Sequence, residues 1–237
     1  MRWEDWRPIY LDIVDKLSLD VFLDQEATRL LTELLKEVNP KPLLQDLEHR
    51  IKGNPIVICG AGPSLETHLQ SLILEENLRP IYVAADGAVS ALLNLGYECS
   101  ILVTDLDGNL DDIREATERG ALTIVHAHGD NVDKVREIVP NLGAVLGSTQ
   151  VEPTERVFLW GGFTDGDRAC YIVSSYAPCR IILAGMDFGN TVGKWSKPMH
   201  ETHFQADARK RIKLDIAKNL ISALMKHSDI PFATLGV

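Results

Sequence analysis

From Pro55 onward, short and almost wholly apolar runs alternate with longer stretches in which apolar residues recur every three or four positions. The runs at 56–59, 81–85, 101–103, 122–125, 144–146, 157–160, 181–184 and 232–235 predict strands. The stretches at 65–76, 88–95, 110–119, 132–139, 167–175 and 206–226 predict helices between them. Such alternation predicts an α/β fold built on a mostly parallel, helix-covered sheet. The first fifty residues read as helical throughout, with apolar spacing of a helix in 9–17, 27–38 and 43–51 and a break at Asn39-Pro40-Lys41-Pro42. The pattern changes at Lys52-Gly53-Asn54-Pro55, which divides the chain into a helical N-terminal segment, 1–52, and an α/β domain, 53–237, that carries the chemistry.

In a parallel sheet ligands bind outside the carboxyl ends of the strands, and the unusual residues of this chain gather there. The first run leads into Gly60-Ala61-Gly62-Pro63-Ser64-Leu65, whose Gly60, Gly62 and Ser64 would let backbone amides at a helix start approach a phosphate. Ser64 is equally suited to capping that helix. A dinucleotide fingerprint would put Asp86 near the ribose, but Leu65 stands where its third glycine belongs.

Three further strand ends are acidic: Asp86-Gly87-Ala88, Thr104-Asp105-Leu106-Asp107-Gly108 and His126-Ala127-His128-Gly129-Asp130-Asn131. Two carboxylates about 4 Å apart repel by roughly 4 kcal/mol at an effective dielectric of about 20. Asp86, Asp105, Asp107 and Asp130 around an anionic ligand therefore call for a divalent cation, and hard oxygen donors with a polyphosphate suit magnesium. A rival reading takes Asp105-Leu106-Asp107-Gly108 as the nucleophile motif of a haloacid-dehalogenase-like phosphatase, although Asn109 follows it and two glycine-rich or acidic strand ends precede it. His126 and His128 have the spacing of a zinc pair, but no third ligand stands nearby.

Gly161-Gly162-Phe163-Thr164-Asp165-Gly166-Asp167-Arg168 reads as a substrate loop, with Arg168 as a phosphate clamp, or as a surface turn capped by Asp165 or Asp167. Asp187, in Ala184-Gly185-Met186-Asp187-Phe188-Gly189, adds a fifth acid to the edge that carries Asp86, Asp105, Asp107 and Asp130.

Composition narrows the choice of ligand. The 237 residues, 45% hydrophobic, can bury one substantial core. With 34 acidic against 24 basic residues and a net charge of -10, the chain is suited neither to nucleic acid nor to an anionic membrane surface. A polyphosphate then needs local cations, and Lys194, Lys197 and Arg209, in the chain's basic stretch, are the candidates. Trp195 between the two lysines suggests a mobile flap. The scattered Cys59, Cys99, Cys170 and Cys179 suit a reducing compartment. No apolar run reaches the roughly 20 residues of a membrane helix, and the acidic start does not suit a signal peptide, so a cytoplasmic location is expected.

Taken in order, the motifs from Gly60 to Gly189 resemble those of the archaeal 6-hydroxymethyl-7,8-dihydropterin pyrophosphokinases, a family similar in its core to thiamin pyrophosphokinases. The resemblance implies magnesium-dependent transfer of diphosphate from ATP to the primary alcohol of a reduced hydroxymethylpterin, releasing AMP. It implies metal ligation by Asp105, Asp107 and Asp130, with Asp86 beside them and Arg168 steadying the transferred group. Asp165, Asp167 and Asp187 would serve the metal or the pterin, whose ring Asn131, Phe163 or Phe188 would contact. By analogy with the thiamin enzymes, a homodimer is expected.

Overall fold

The computed structural model describes residues 1–73 and 79–235. Its centre is an eight-stranded, entirely parallel sheet in the order β10-β7-β1-β2-β3-β4-β5-β6. These strands are β1 (Pro55–Cys59), β2 (Ile81–Ala85), β3 (Ile101–Thr104), β4 (Leu122–His126), β5 (Leu146–Ser148), β6 (Val157–Phe158), β7 (Arg180–Ala184) and β10 (Phe232–Thr234). A small antiparallel ribbon, β8 (Thr191–Val192) with β9 (Phe204–Gln205), lies beside the sheet's sequence between β7 and β10. The chain winds outward from β1 to β6, then returns to place β7 on the other side of β1. That reversal opens a crevice at the carboxyl ends of β1 and β7.

Side chains alternate between the two faces of each strand, and both faces are covered. Val57, Cys59, Ala84, Leu102, Val125 and Ile182 pack on one side with α2 (Val21–Leu34), α4 (Leu65–Ile73), α5 (Ala88–Asn94), α6 (Leu110–Glu118) and α7 (Val132–Ile138). Ile56, Ile58, Val83, Val103, Ile124 and Ile181 pack on the other with α3 (Pro40–Ile51), α8 (Asp165–Ser174) and α9 (Ala208–His227). Residues 1–52 thus enter the same cores as the sheet, α2 on one face and α3 on the other. The remaining N-terminal helix, α1 (Trp3–Leu17), packs Trp6, Tyr10, Ile13 and Leu17 against Leu159, Phe163, Ile216 and Leu220.

Most expected elements fall within two residues of the observed ones, and the differences have local causes. The break at Asn39-Pro40-Lys41-Pro42 is the start of α3: Asn39 caps it by accepting from the Lys41 N–H, and Pro40 loses no hydrogen bond in a first turn. The strand expected at 144–146 is displaced to Leu146–Ser148. The helix expected at 167–175 begins at Asp165, because Thr164 and Asp167 form a reciprocal cap. The expected continuation of α4 over 74–76 lies outside the described residues. Among the described residues, no helix is long and apolar enough to cross a membrane.

Candidate active site

One cavity of about 360 Å³ lies over the carboxyl edge of the sheet, a size suited to small-molecule substrates. Its floor is acidic. Asp86, Asp105 and Asp165 each present a carboxylate oxygen within 4.8 Å of the others. Asp86 and Asp105 leave the adjacent strands β2 and β3, whereas Asp165 arrives on the first turn of α8, which crosses the sheet on its way to β7.

The backbone holds this floor in an uncommon conformation. Asp86 and Leu106 adopt left-handed φ angles of 43° and 67°. Thr104 Oγ1 donates to Asp86 at 2.5 Å and accepts from the Leu106 N–H at 2.8 Å, so one hydroxyl ties the two turns together. Asn131 donates to the carbonyls of Asp105 (2.9 Å) and His126 (2.8 Å) and accepts from the His128 N–H (2.9 Å). Its amide pins the ends of β3 and β4, so the expected contact of Asn131 with a pterin is replaced by a structural role. His128 accepts from the Asp130 N–H through Nδ1, leaving Nε2 facing Asp105 at 3.5 Å.

Crowding and burial set the protonation of the acids. Burial, followed by the charge of Asp105, pushes the Asp86 carboxyl up to about 7. Burial, then Asp105 and Asp86, raises Asp165 well above the usual carboxylate range. Asp107 behaves oppositely: burial would raise it, but hydrogen bonds from Lys134 and Lys197 prevail and hold it at about 2. It is therefore a paired carboxylate beside the floor.

Arg168 lies fully buried below the floor, donating to Phe163 O and His126 Nε2 at 3.0 Å each. Because a guanidinium only donates, His126 Nε2 accepts, and burial followed by Arg168 lowers the His126 pKa well below its ordinary value. Arg168 is thus a buried countercharge to the acids, and the expected clamp on a phosphate is corrected: its guanidinium does not line the cavity. The glycine pair ahead of it is part of the same packing, since a Cβ on Gly162 (φ 80°) would meet Arg168 Cα at 2.4 Å.

The other expected residues scatter. Asp130 is exposed at the rim, 3.8 Å from Arg209, and stands outside the acid cluster. Asp167 is consumed in capping α8, accepting from the N–H groups of Phe163 (2.6 Å) and Thr164 (2.9 Å). Lys197 lines the cavity and pairs with Asp107. Lys194 pairs with Glu66 at 3.0 Å, and Trp195 donates to the same carboxylate at 3.0 Å, so the expected flap is fastened to α4. Arg209 lines the rim and donates to Leu17 O at 2.8 Å.

Gly60 and Gly62 line the cavity, whereas Ser64 does not, and its amide is already taken. Asp187 accepts from the Ser64 N–H (3.0 Å) and hydroxyl (2.7 Å), so a carboxylate sits where the expected phosphate would bind. The glycines serve close approach: a Cβ on Gly62 would lie 2.1 Å from Asp187 Oδ2 and 2.4 Å from the Gly185 carbonyl. Gly62→Ala is expected to cost about 1–3 kcal/mol because the backbone carbonyl cannot swing aside. A lowered Tm in thermal unfolding would register it.

Two groups of lining residues had no assigned role in the sequence. Lys210 and Lys213, with Leu214 and Ala217, form one face of α9 that borders the cavity at helical spacing. Burial and the neighbouring Lys197 and Lys213 lower the Lys210 pKa. Lys213 stands 5.9 Å over the Phe163 ring. That spacing within the basic run was the available signal. The second group, Ser18 to Asp24, brings the α1–α2 turn over the cavity. Buried Asp24 anchors it by accepting from Tyr10 Oη (2.6 Å), Gln150 (2.8 Å) and the Gly129 N–H (2.7 Å).

Comparison with known proteins places these features in a lineage. Residues 29–193 match the family model described as 6-hydroxymethylpterin diphosphokinase MptE-like. A protein from Pyrococcus furiosus named 6-hydroxymethyl-7,8-dihydropterin pyrophosphokinase is 40% identical over 224 residues, 94% of either chain. A protein of the same name from Methanothermobacter thermautotrophicus is 38% identical, covering 97% of this chain and 98% of its own. One from Methanocaldococcus jannaschii is 36% identical, covering 98% and 99%. Among solved structures, the MAf glycosyltransferase from Magnetospirillum magneticum AMB-1 aligns with 82% of this chain and 38% of its own at 13% identity, with a TM-score of 0.48. The chain belongs to the 6-hydroxymethylpterin diphosphokinase MptE-like family.

Proposed function

We propose that the protein transfers diphosphate from ATP to the hydroxymethyl group of 6-hydroxymethyl-7,8-dihydropterin, giving AMP and the pterin diphosphate. The observation that carries this reading is near-full-length similarity to three proteins named for that activity. The geometry supports it: Asp86, Asp105 and Asp165 sit in a cavity also lined by Lys197, Lys210 and Lys213. The comparisons favour neither a thiamin-type acceptor nor a phosphatase, and Asp105 follows β3, the third strand of the chain.

Three converging carboxylates, two of them raised by burial and then by crowding, fit a hard divalent cation, and in our reading they hold Mg2+. Asp105 remains from the set Asp105, Asp107 and Asp130; Asp86 and Asp165 join it, while Asp107 orients Lys197. A bound Mg2+ would offset charge on the polyphosphate. The chain's own residues would do the rest. Lys197, Lys210 and Lys213 bind and neutralise phosphate oxygens, and the α1–α2 turn covers the site. The pterin oxygen would then meet the β-phosphorus in line, with positioning and charge supplying most of the rate. A cytoplasmic location and a homodimer belong to the same proposal.

The direct test incubates the protein with ATP, Mg2+ and 6-hydroxymethyl-7,8-dihydropterin and measures AMP and the pterin diphosphate by chromatography. Inorganic phosphate in place of AMP would sink the proposal. Chelation of the metal with EDTA is expected to abolish turnover. Cation binding must also compete with protons, since Asp86 is held at about 7 and Asp165 is raised. Calorimetric titration with Mg2+ is therefore expected to show roughly tenfold or more weaker binding at pH 6 than at pH 8, with proton release on binding.

A further inference from the structure

We propose that the acceptor ring occupies the end of the cavity walled by the turns after β1 and β7 and that Asp187 reads its 2-amino-4-oxopyrimidine edge. This deepens the diphosphate-transfer reading and rests on it. The strand order β7-β1-β2-β3-β4 puts the acids of β2 and β3 in the middle of the edge. Arg209 stands near Asp130 beyond β4 and Lys213 over Phe163, so these cations of α9 gather on one side. The crevice of β1 and β7 lies on the other side, and there the chain supplies a carboxylate.

The turns after β1 and β7 pack directly on each other, Gly62 N–H donating to Gly185 O at 2.9 Å, and together they wall one end of the cavity. Gly60, Gly62 and Gly185 bring the two turns so close that a Cβ on any of them would collide with the opposite turn. Met186, Phe188 and Val192 add apolar surface to the cavity at that end. Asp187 is held from one side only. Its Oδ2 accepts from the Ser64 N–H and hydroxyl, and among the described residues no hydrogen bond engages Oδ1. One turn along α4, His68 Nδ1 accepts from the Gly185 N–H at 3.1 Å and fixes the turn that carries Asp187.

With Oδ2 taken by Ser64, the free Oδ1 only accepts hydrogen bonds, so it suits a ligand edge that presents donors and no acceptor. A pterin offers that edge through N3–H and the 2-amino group. Adenine alternates a donor with an acceptor there and would turn a ring nitrogen toward the carboxylate. The phosphate chain is disfavoured by charge. Guanine shares the pterin's donor pair, so a guanine nucleotide is the competing occupant.

The deciding experiment compares the wild-type enzyme on 6-hydroxymethyl-7,8-dihydropterin and on its 2-oxo analogue, in which a carbonyl replaces the amino group. The expected result is a loss of at least a hundredfold in kcat/KM for the analogue, because its carbonyl faces the Asp187 carboxylate. Asp187→Asn keeps an acceptor for Ser64 but offers an NH2 group to the ligand. It is expected to raise KM for the dihydropterin more than tenfold, leave KM for ATP unchanged and narrow the preference between the two acceptors. Equal use of both acceptors by the wild type overturns the assignment, and this comparison decides even if the variant does not fold. A raised KM for ATP in Asp187→Asn overturns it as well. So does a wild-type preference for GTP over ATP as donor that the variant loses. In each of these cases release of the donor's nucleoside monophosphate with the dihydropterin as acceptor leaves the reaction itself standing, whereas no such release with any acceptor sinks the reaction instead.

Discussion

Asp105→Asn is expected to lower kcat/KM for diphosphate transfer by about a thousandfold or more while raising the stability of the metal-free protein. Asp105 is the acid whose charge reaches both neighbours: after burial it is the leading cause of the raised pKa of Asp86 and of Asp165. Asparagine takes away an anionic cation ligand in the proposed site while keeping an oxygen that can accept from the Asp107 N–H. It also relieves a repulsion worth a few kcal/mol at an effective dielectric of about 20. A net gain near 1–2 kcal/mol corresponds to a rise in Tm of roughly 2–8 °C.

The pH dependence gives this prediction a second readout. A carboxyl raised in the folded state binds protons that the unfolded chain has released, so its contribution to stability is full below the unfolded pKa and is lost as pH rises through the folded one. For Asp86 that window runs from 3.8 to about 7. The metal-free wild type is therefore expected to lose stability between pH 5 and pH 8, and Asp105→Asn to lose less. Mg2+ should restore the wild type and not the variant. Unchanged turnover in the variant, measured as AMP released, would remove Asp105 from the site.

Arg168→Met is expected to cost about 3–5 kcal/mol, the largest stability effect of any single change in the site. The guanidinium is fully buried, and Asp165, Asp167 and Asp105 are the charges that most favour its ionised form against burial. Methionine fills much of the same space but leaves those carboxylates without their countercharge. It also strips His126 Nε2 and Phe163 O of their donor. The sign with pH follows from Asp165, already raised with the arginine present: the variant should be least stable at high pH and recover as pH falls and Asp165 takes up a proton. Denaturant unfolding at pH 5.5 and pH 8 measures the difference. A variant as stable as the wild type at pH 8 would show that Arg168 is not the countercharge.

The elements were readable because their causes are local. Apolar runs such as 101–103 must be strands buried on both faces, and the basic stretch after 205 could only bury one stripe of a helix. The acids of Asp86 and Asp105 were readable for the same reason, since each stands directly after such a run. What misled was proximity along the chain. Asp107 is two residues from Asp105, yet the left-handed turn at Leu106 separates them and Lys134 and Lys197 claim it. Asp130 ends the segment after β4, but His128 and Asn131 fold that segment back and leave its carboxylate at the rim. The glycines of the first turn were recognisable as a close approach, though the approaching group is Asp187, more than a hundred residues onward.

By itself, then, the amino-acid order determined the parallel sheet and the crowding of acids along its carboxyl edge, because periodicity and local charge act over a few residues. The tertiary structure decided which acids meet. Asp165 reaches Asp86 and Asp105 only because α8 crosses the sheet after β6, and Arg168, one turn further, is thereby buried as their countercharge. It likewise brought the α1–α2 turn and the Lys210 face of α9 over the cavity from opposite ends of the chain. Electrostatic interaction depends on distance through space, and only the packing of distant elements sets that distance.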